Sequence, residues 1–182
     1  VGTNYAKLFS RQKAPLWEFA VPFSSHFSAD GKDVIWWSGP QVPAAIRWLI
    51  NTVFMAVASM ILTCVTSAMA GYALAKKRFI GRSVLFTLIV CAMALPKQVI
   101  LIPLLREMSS LQLYNTIWAV IFPIVGWPFG IFLMKQFSEG IPGEMLEAAR
   151  IDGASELTTF TRIALPIIKP GIGALAIFTF IN

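Results

Sequence analysis

Charge is scarce in this sequence: Asp, Glu, Lys and Arg make up 13% of its 182 residues, against 57% that are hydrophobic. A water-soluble domain of this length carries about a quarter charged residues, so the deficit argues against an ordinary solvated surface and for burial in lipid. Histidine is down to one, His26, and cysteine to two, Cys64 and Cys91, with no CxxC pair or Cys/His spacing around them. That argues against a zinc site or a disulfide framework. Both cysteines lie deep in uncharged runs and are read as small packing residues. His26 falls in the N-terminal segment and is read as a surface residue rather than a catalytic one. No GxxxxGKS/T run is present to cradle phosphates, and there is no HExxH and no serine in a nucleophile elbow. The chain is therefore expected to bind no nucleotide itself and to carry no protease or hydrolase chemistry. Net charge is +6, but the basic residues fall between apolar runs rather than on one polar face. This pattern speaks against nucleic acid and is what the positive-inside rule produces.

Residues 1–45 are mixed, with Lys7, Arg11, Lys13, Glu18, Asp30, Lys32 and Asp33 among aromatics, and with Pro15, Pro22, Gly31, Gly39, Pro40 and Pro43 breaking any long period. They read as an irregular, partly solvated segment. Trp36, Trp37 and Trp48 flank the first apolar run, where indoles favour the headgroup layer. From Trp48 to Ala75 no residue is charged, which exceeds the roughly 20 apolar residues a membrane-crossing helix needs. Lys76-Lys77-Arg78 ends it, with Arg82 close behind. A second span is expected from Ser83 to about Leu105, interrupted by Pro96 and Lys97, and a third over Thr116–Met134, containing Pro123, Gly126, Pro128 and Gly130. Such breakers are tolerated where neighbouring helices satisfy the freed backbone groups, so a packed bundle is expected. A polar stretch from Lys135 to about Leu165 precedes a fourth apolar run beginning near Pro166.

Orientation follows from the short loops: residues 76–82 hold four Lys or Arg, residues 106–115 one, and residues 135–165 three, with Lys169 just beyond. The first and third loops are expected to face the cytoplasm and residues 1–45 the outside. Because the chain starts at Val1 and stops at Asn182 inside an apolar run, it is read as a fragment, with at least one further span upstream. The division expected is an extracytoplasmic segment at 1–45 and a transmembrane domain at 46–182, with a cytoplasmic loop at 135–165.

That loop has internal order. Pro142 suits the first turn of a helix, and Glu144 and Glu147 follow on the side the helix dipole favours. Met145, Ala148, Ala149 and Asp152 recur at spacings of three and four, giving a face with small residues in its middle. Gly153 supplies a position able to take positive φ and end the helix. Leu157, Phe160, Ile163 and Ala164 then recur at helical spacing before Pro166. The expectation is two short helices about a glycine turn, lying beneath the membrane.

The run Glu147-Ala148-Ala149, then Gly153, Phe160, Ile163, Leu165 and Pro166, resembles the EAA loop of type I ABC importer permeases. That loop has a Glu-Ala-Ala triplet, a Gly four residues after it and a Leu-Pro twelve residues beyond the Gly, and Asp152, Gly153 and Ala154 match its usual continuation. Leu95-Pro96, Ile102-Pro103-Leu104, Asn115-Thr116, Trp118-Ala119 and Gln136-Phe137 resemble the carbohydrate-uptake branch of maltose-permease-G-like subunits, as do Asn4-Tyr5 and Leu8-Phe9. Residues 11–45 depart from it, being longer and more aromatic. The resemblance implies an all-α polytopic membrane bundle, of whose six helices this chain would hold about four, in a bacterial cytoplasmic membrane. It implies a non-catalytic subunit that forms half of a sugar path, with ATP bound by two partner ATPase subunits. A second permease subunit and an extracytoplasmic solute-binding protein would complete the assembly. It further implies that the first helix of the loop docks on an ATPase subunit. Glu147 would reach a basic group there, Ala148 and Ala149 would allow close approach, and Asp152 and Gly153 would form the turn. The same class carrying a sugar phosphate or another polar solute is the alternative, and a membrane enzyme or channel a remote one.

Simpler readings stand beside these. Glu139, Glu144, Glu147, Asp152 and Glu156 form a solvated acidic face rather than a metal site, lacking His or Cys nearby. Arg150 is spaced to pair with Glu147 at i,i+3, worth a few tenths of a kcal/mol. Lys97 falls roughly 21 Å into a core of about 30 Å when counted from Ser83. It is read as snorkelling to the outer surface, with a place on a hydrated path as the alternative.

Overall fold

The computed structural model of the protein describes residues 13–15, 18–20, 35–38, 41–114 and 116–181, with side chains from Ile46 onward except at Arg47 and Lys97. Its contacts fall into two units.

The first unit comprises residues 1–55 and 105–119. Here β1 (Lys13–Pro15) pairs antiparallel with β4 (Gln41–Pro43), and β2 (Glu18–Ala20) with β3 (Ile35–Ser38). Short strands thus stand where irregular backbone was expected. Ile35, Trp36 and Trp37 suit a pleated surface, and Pro15 and Pro43 lie on strands with a single partner, where a missing N–H is tolerated. Asn4, Tyr5, Leu8, Phe9 and His26 lie outside the described residues. Helix α1 (Ala44–Lys76) follows β4 directly. In the same unit the chain leaves a helix ending at Ser110 through Gln112, whose φ of 57° lies in the left-handed region. The N–H of Leu113 donates to the Met108 carbonyl at 2.9 Å and that of Gln112 to the Ser109 carbonyl at 3.1 Å, the pair of bonds that closes a Schellman motif.

The second unit, residues 56–104 and 120–182, is a helical bundle. After α1 come α2 (Arg82–Met93), α3 (Lys97–Ser110), α4 (Trp118–Val125), α5 (Pro128–Glu139), α6 (Gly143–Ile151), α7 (Glu156–Ile167) and α8 (Lys169–Ile181). Among the described residues two stretches are long and apolar enough to cross a membrane, Trp48–Lys76 and Trp118–Glu139. The second runs five residues beyond the expected end at Met134. The run expected as one span from Ser83 to Leu105 is instead bent by 108° between α2 and α3, and α7 meets α8 at 76°. Pro96 stands at the first break, where it lacks a donor and disfavours helical geometry at Leu95 before it. Pro170 is the second residue of α8, in the first turn, where a missing N–H costs nothing.

Helices α1 and α5 cross closely. A Cβ on Gly71 would lie 2.6 Å from the Lys135 nitrogen and from the Met134 carbonyl carbon, so only glycine fits there. Thr63 and Ser67 line the same stripe of α1 and are fully buried. The α4–α5 break is satisfied across this seam. Pro128 cannot donate to the Ile124 carbonyl, which accepts from the Trp127 N–H at 3.1 Å and from the Thr63 hydroxyl at 3.2 Å, while the Thr66 hydroxyl donates to the Val125 carbonyl at 2.9 Å. The expectation of a packed bundle around the breakers is met by these two hydroxyls. The core gathers Cys64, Ala68 and Tyr72 of α1, Met134 of α5, Ile141, Leu146 of α6, Ala164 of α7, Ile168 between α7 and α8, and Leu175 of α8. Cys64 is a packing residue in it, whereas Cys91 is exposed.

Within α7 the turn Phe160–Ala164 is π-helical, and the Leu165 N–H reaches back five residues to the Phe160 carbonyl. The helix passes through Pro166 and stops at Ile167 rather than ending before the proline.

Candidate functional site

The loop between α5 and α8 folds as two short helices about a glycine. Pro142, with φ −60° and ψ 132°, is the N-cap of α6, one position ahead of the first turn where it was expected. Glu144 in the first turn and Arg150 in the last both complement the helix dipole. At the far end Gly153 has φ 76°, as anticipated. The Ala154 N–H donates to the Ala149 carbonyl at 2.9 Å and the Gly153 N–H to the Arg150 carbonyl at 3.1 Å, so α6 also closes with a Schellman motif. Ser155 then caps α7, its hydroxyl accepting from the Thr158 N–H at 3.2 Å.

Helix α6 is held from one side. Leu146 and Ala149 are buried, and Leu146 belongs to the core. Glu144, Met145, Glu147, Ala148, Ile151 and Asp152 are exposed. Consecutive helical residues point about 100° apart, so Ala148 and Ala149 do not share a face: Ala148 looks out and Ala149 packs inward. On α7, Leu157 is 68% exposed, while Phe160 and Ile163 are half-buried and Ala164 fully buried. The outward surface therefore combines three apolar side chains, Met145, Ile151 and Leu157, with four acids, Glu144, Glu147, Asp152 and Glu156. Such a surface fits an apolar cleft edged with basic groups. No group of three or more His, Cys, Asp or Glu among the described residues is arranged to hold a metal ion.

Around the base of this surface the charges are paired. Glu156 lies between Lys77, with which it forms a salt bridge, and Arg150, whose Nη2 is 3.6 Å from Oε1. The hydrogen bond from Lys77 holds the Glu156 carboxyl below the usual carboxylate range, with the charges of Lys77 and Arg150 adding to it. The partner of Arg150 is thus Glu156; no ion pair joins it to Glu147 among the described residues. Lys135 bridges Glu139 at 2.7 Å and stands 4.1 Å above the Phe86 ring. Lys76 donates to the Glu139 carbonyl at 3.1 Å and the Ile141 carbonyl at 2.7 Å.

Of the residues singled out in the sequence, Glu147, Ala148, Asp152 and Gly153 come together on the outer side of this hairpin, with Ala149 behind them. Lys97 begins α3 immediately after the 108° bend, and its side chain lies outside the described residues. Sequence reasoning missed Leu146 as an anchor, although its spacing of three from Ala149 carries the signal. It also missed Lys76 and Lys77 as contacts of the loop, for which no local signal exists.

Comparison with known proteins places this geometry. The family described as "Binding-protein-dependent transport system inner membrane component" matches residues 67–182, which include the whole hairpin. The chain is 38% identical over 135 residues to the arabinooligosaccharides transport system permease protein AraQ of Halalkalibacterium halodurans, covering 74% of this chain and 48% of that protein. It is 36% identical to the alpha-glucoside transport system permease protein AglG of Rhizobium meliloti, covering 74% and 37%. Against the sn-glycerol-3-phosphate transport system permease protein UgpE of Salmonella typhi the identity is 33%, covering 81% and 53%. The chain thus spans about half the length of the curated relatives it matches. Among solved structures it is similar to a chain of a bacterial ABC transporter involved in the import of the acidic polysaccharide alginate, with a TM-score of 0.65, 28% identity, and coverage of 72% of this chain and 46% of that one. With the family match extending from the last third of α1 through α8, this chain belongs to the binding-protein-dependent transport system inner membrane components.

Proposed function

We propose that the chain is part of a permease subunit of an ATP-driven sugar importer, and that α6 is its coupling helix. The observation that carries this is the division of α6 into two faces: Leu146 and Ala149 anchor it, leaving Met145, Glu147, Ala148, Ile151 and Asp152 free beside a turn fixed by Gly153. A helix that served only to close the bundle has no call for an exposed apolar and acidic face; one that docks on a partner does. In this reading the loop at 135–165 faces the cytoplasm and meets one of two ATPase subunits, Glu147 meeting a basic group there. ATP is bound by those partners, and this chain does no catalysis. A second permease subunit forms the other half of the path, and a binding protein delivers the solute from outside. The names of relatives such as AraQ and AglG support a sugar as cargo. A phosphorylated polyol or sugar phosphate is the second reading, favoured by the similarity to UgpE.

Uptake into proteoliposomes containing the full-length permease and its partners tests this. Expected is accumulation of a labelled oligosaccharide that requires both ATP and the ATPase subunits. Accumulation without either sinks the importer reading, and uptake of a labelled sugar phosphate alone shifts it to the second. Cysteines placed at Arg78 and Ser155 are expected to react only from the cytoplasmic side, and one at Ser28 only from outside.

A further inference from the structure

The polar contacts at the foot of α1 are not those of residues that merely set topology. A lysine that only marks the cytoplasmic side extends its ammonium to water or headgroups. Lys76 turns back onto the chain: it is half-buried, and its Nζ donates to the carbonyls of Glu139 and Ile141, on either side of Gly140. Among the described residues it forms no ion pair, and the Glu139 side chain is bridged by Lys135. Lys76 sits instead at the negative end of the α5 dipole, on the Glu139 carbonyl left over by the helix terminus and on the Ile141 carbonyl just beyond it. One residue on, Lys77 bridges Glu156, the first residue of α7, and its Nζ stands 5.7 Å from the centre of the Tyr72 ring. Tyr72 in turn packs against Phe160 at 5.2 Å. Ile141 and Glu156 bracket α6 on its two sides. Both attachments therefore reach the same last turn of α1.

We propose that Lys76 and Lys77 are positioning residues that clasp both ends of the α6 segment to α1, so that displacement of the loop moves that helix with it. This rests on the reading of α6 as a coupling helix. Without the clasp, α6 retains the Leu146 and Ala149 contacts and its partner surface, and the loss falls on transmission. Lys76 is the stronger of the two points, because its shorter bond, to the Ile141 carbonyl, is part-buried, whereas the carboxylate that Lys77 meets is 61% exposed.

The test uses the complete complex of full-length permease, ATPase subunits and binding protein in proteoliposomes, reading solute taken up per ATP hydrolysed. Lys76→Met is expected to lower that ratio about tenfold, the size of typical coupling losses, with the ATPase subunits still co-purifying in the normal proportion. Lys76→Arg, which keeps the charge and the donors, is expected to stay within about threefold of the unmodified complex. A normal ratio in Lys76→Met overturns the clasp. So does a ratio equally low in Lys76→Arg, which would mark a steric role. Should Lys76→Met fail to assemble, the exchange of Lys77→Glu with Glu156→Lys decides. Each single change lowers the ratio and the double change restores it if the clasp exists, and a double variant no better than the singles overturns it. Failure of the ATPase subunits to co-purify with the unmodified permease strikes at the coupling reading itself and takes the clasp with it.

Discussion

Two helices of this protein end in the same backbone motif on different residues. α3 closes through Gln112 at φ 57°, α6 through Gly153 at φ 76°, each with the paired bonds from the two following N–H groups to carbonyls of the last turn. A Cβ in the left-handed region costs roughly 1–2 kcal/mol, so the glutamine end is held at a cost that the glycine end avoids. The difference teaches where the turn is set by its own residue and where by its surroundings. At 112 a residue with a Cβ takes the left-handed conformation, closed by the Gln112 and Leu113 N–H bonds, and bears that cost. At 153, nothing lies within 4 Å of where a Cβ would be, so no neighbour would hold a substitute in place. The α6 turn keeps its aim because it is glycine, and the direction in which α6 presents its outer face depends on that.

The sharpest way to break the comparison is Gly153→Val. A β-branched residue in this conformation is expected to cost about 2 kcal/mol or more, to misdirect α6 and α7 relative to each other, and to abolish most solute uptake. Membrane abundance should persist, since Leu146, Ala164 and Ile168 still fill the core. Uptake within twofold of normal, measured in vesicles, would show that the turn does not set the aim of the helices. Glu147→Lys sharpens the same point from the other side. It leaves the glycine turn intact and reverses a charge on the exposed face, so co-purification of the ATPase should weaken by about tenfold. An acidic replacement on the ATPase surface should recover part of it, while leaving Gly153→Val uncorrected. Recovery of both variants would erase the distinction between shape and charge.

Gln112→Gly runs the comparison in reverse. Removing the Cβ relieves the left-handed cost, partly offset by the greater freedom of glycine in the unfolded chain. A net gain of up to about 1 kcal/mol is expected, read as a rise in thermal midpoint in detergent, with uptake unchanged. A loss of stability would mean that the glutamine side chain does more than occupy the turn. The smallest effect belongs to Glu156. Its folded-state pKa is lowered by Lys77, so the pair stabilises the protein above the unfolded carboxylate pKa. That contribution disappears as pH falls through the folded value. Because the pair is exposed, the contribution is below about 1 kcal/mol. Thermal midpoints of the unmodified protein and Glu156→Gln should differ slightly at pH 7 and converge towards pH 3. A constant difference across that range excludes the titration.

What the sequence made legible was mostly local. Gly153 after an amphipathic stretch names its own conformation, because few residues tolerate positive φ. The uncharged run from Trp48 ends at Lys76, and the helix ends there too. Less of the second and fourth runs could be read. Pro96 signals a break, but the angle of 108° depends on what α2 and α3 pack against, which no local pattern encodes. The inward turn of Ala149 follows from helical geometry once the position of the core is known. From the sequence, Ala148 and Ala149 were equivalent small residues. Lys76 and Lys77 were the least legible. Their partners lie 63 to 79 residues away, and a cluster of three basic residues after a span is explained well enough by membrane orientation alone.

The π-helical turn at Phe160–Ala164 bears on how chains of this family change length. It holds one residue more than an α-helical turn in nearly the same rise and sweep, so the side chains after it keep the direction they would have without the extra residue. Deleting one residue from this turn leaves an unbroken helix of regular geometry with its later side chains facing as before. Elsewhere in the bundle, at the Gly71 crossing above all, the same deletion would put bulk against backbone. The junction between the loop and α8 is thus a seam where one residue can be lost with both facing and fold kept, so relatives are expected to differ in length here sooner than in any helix of the core.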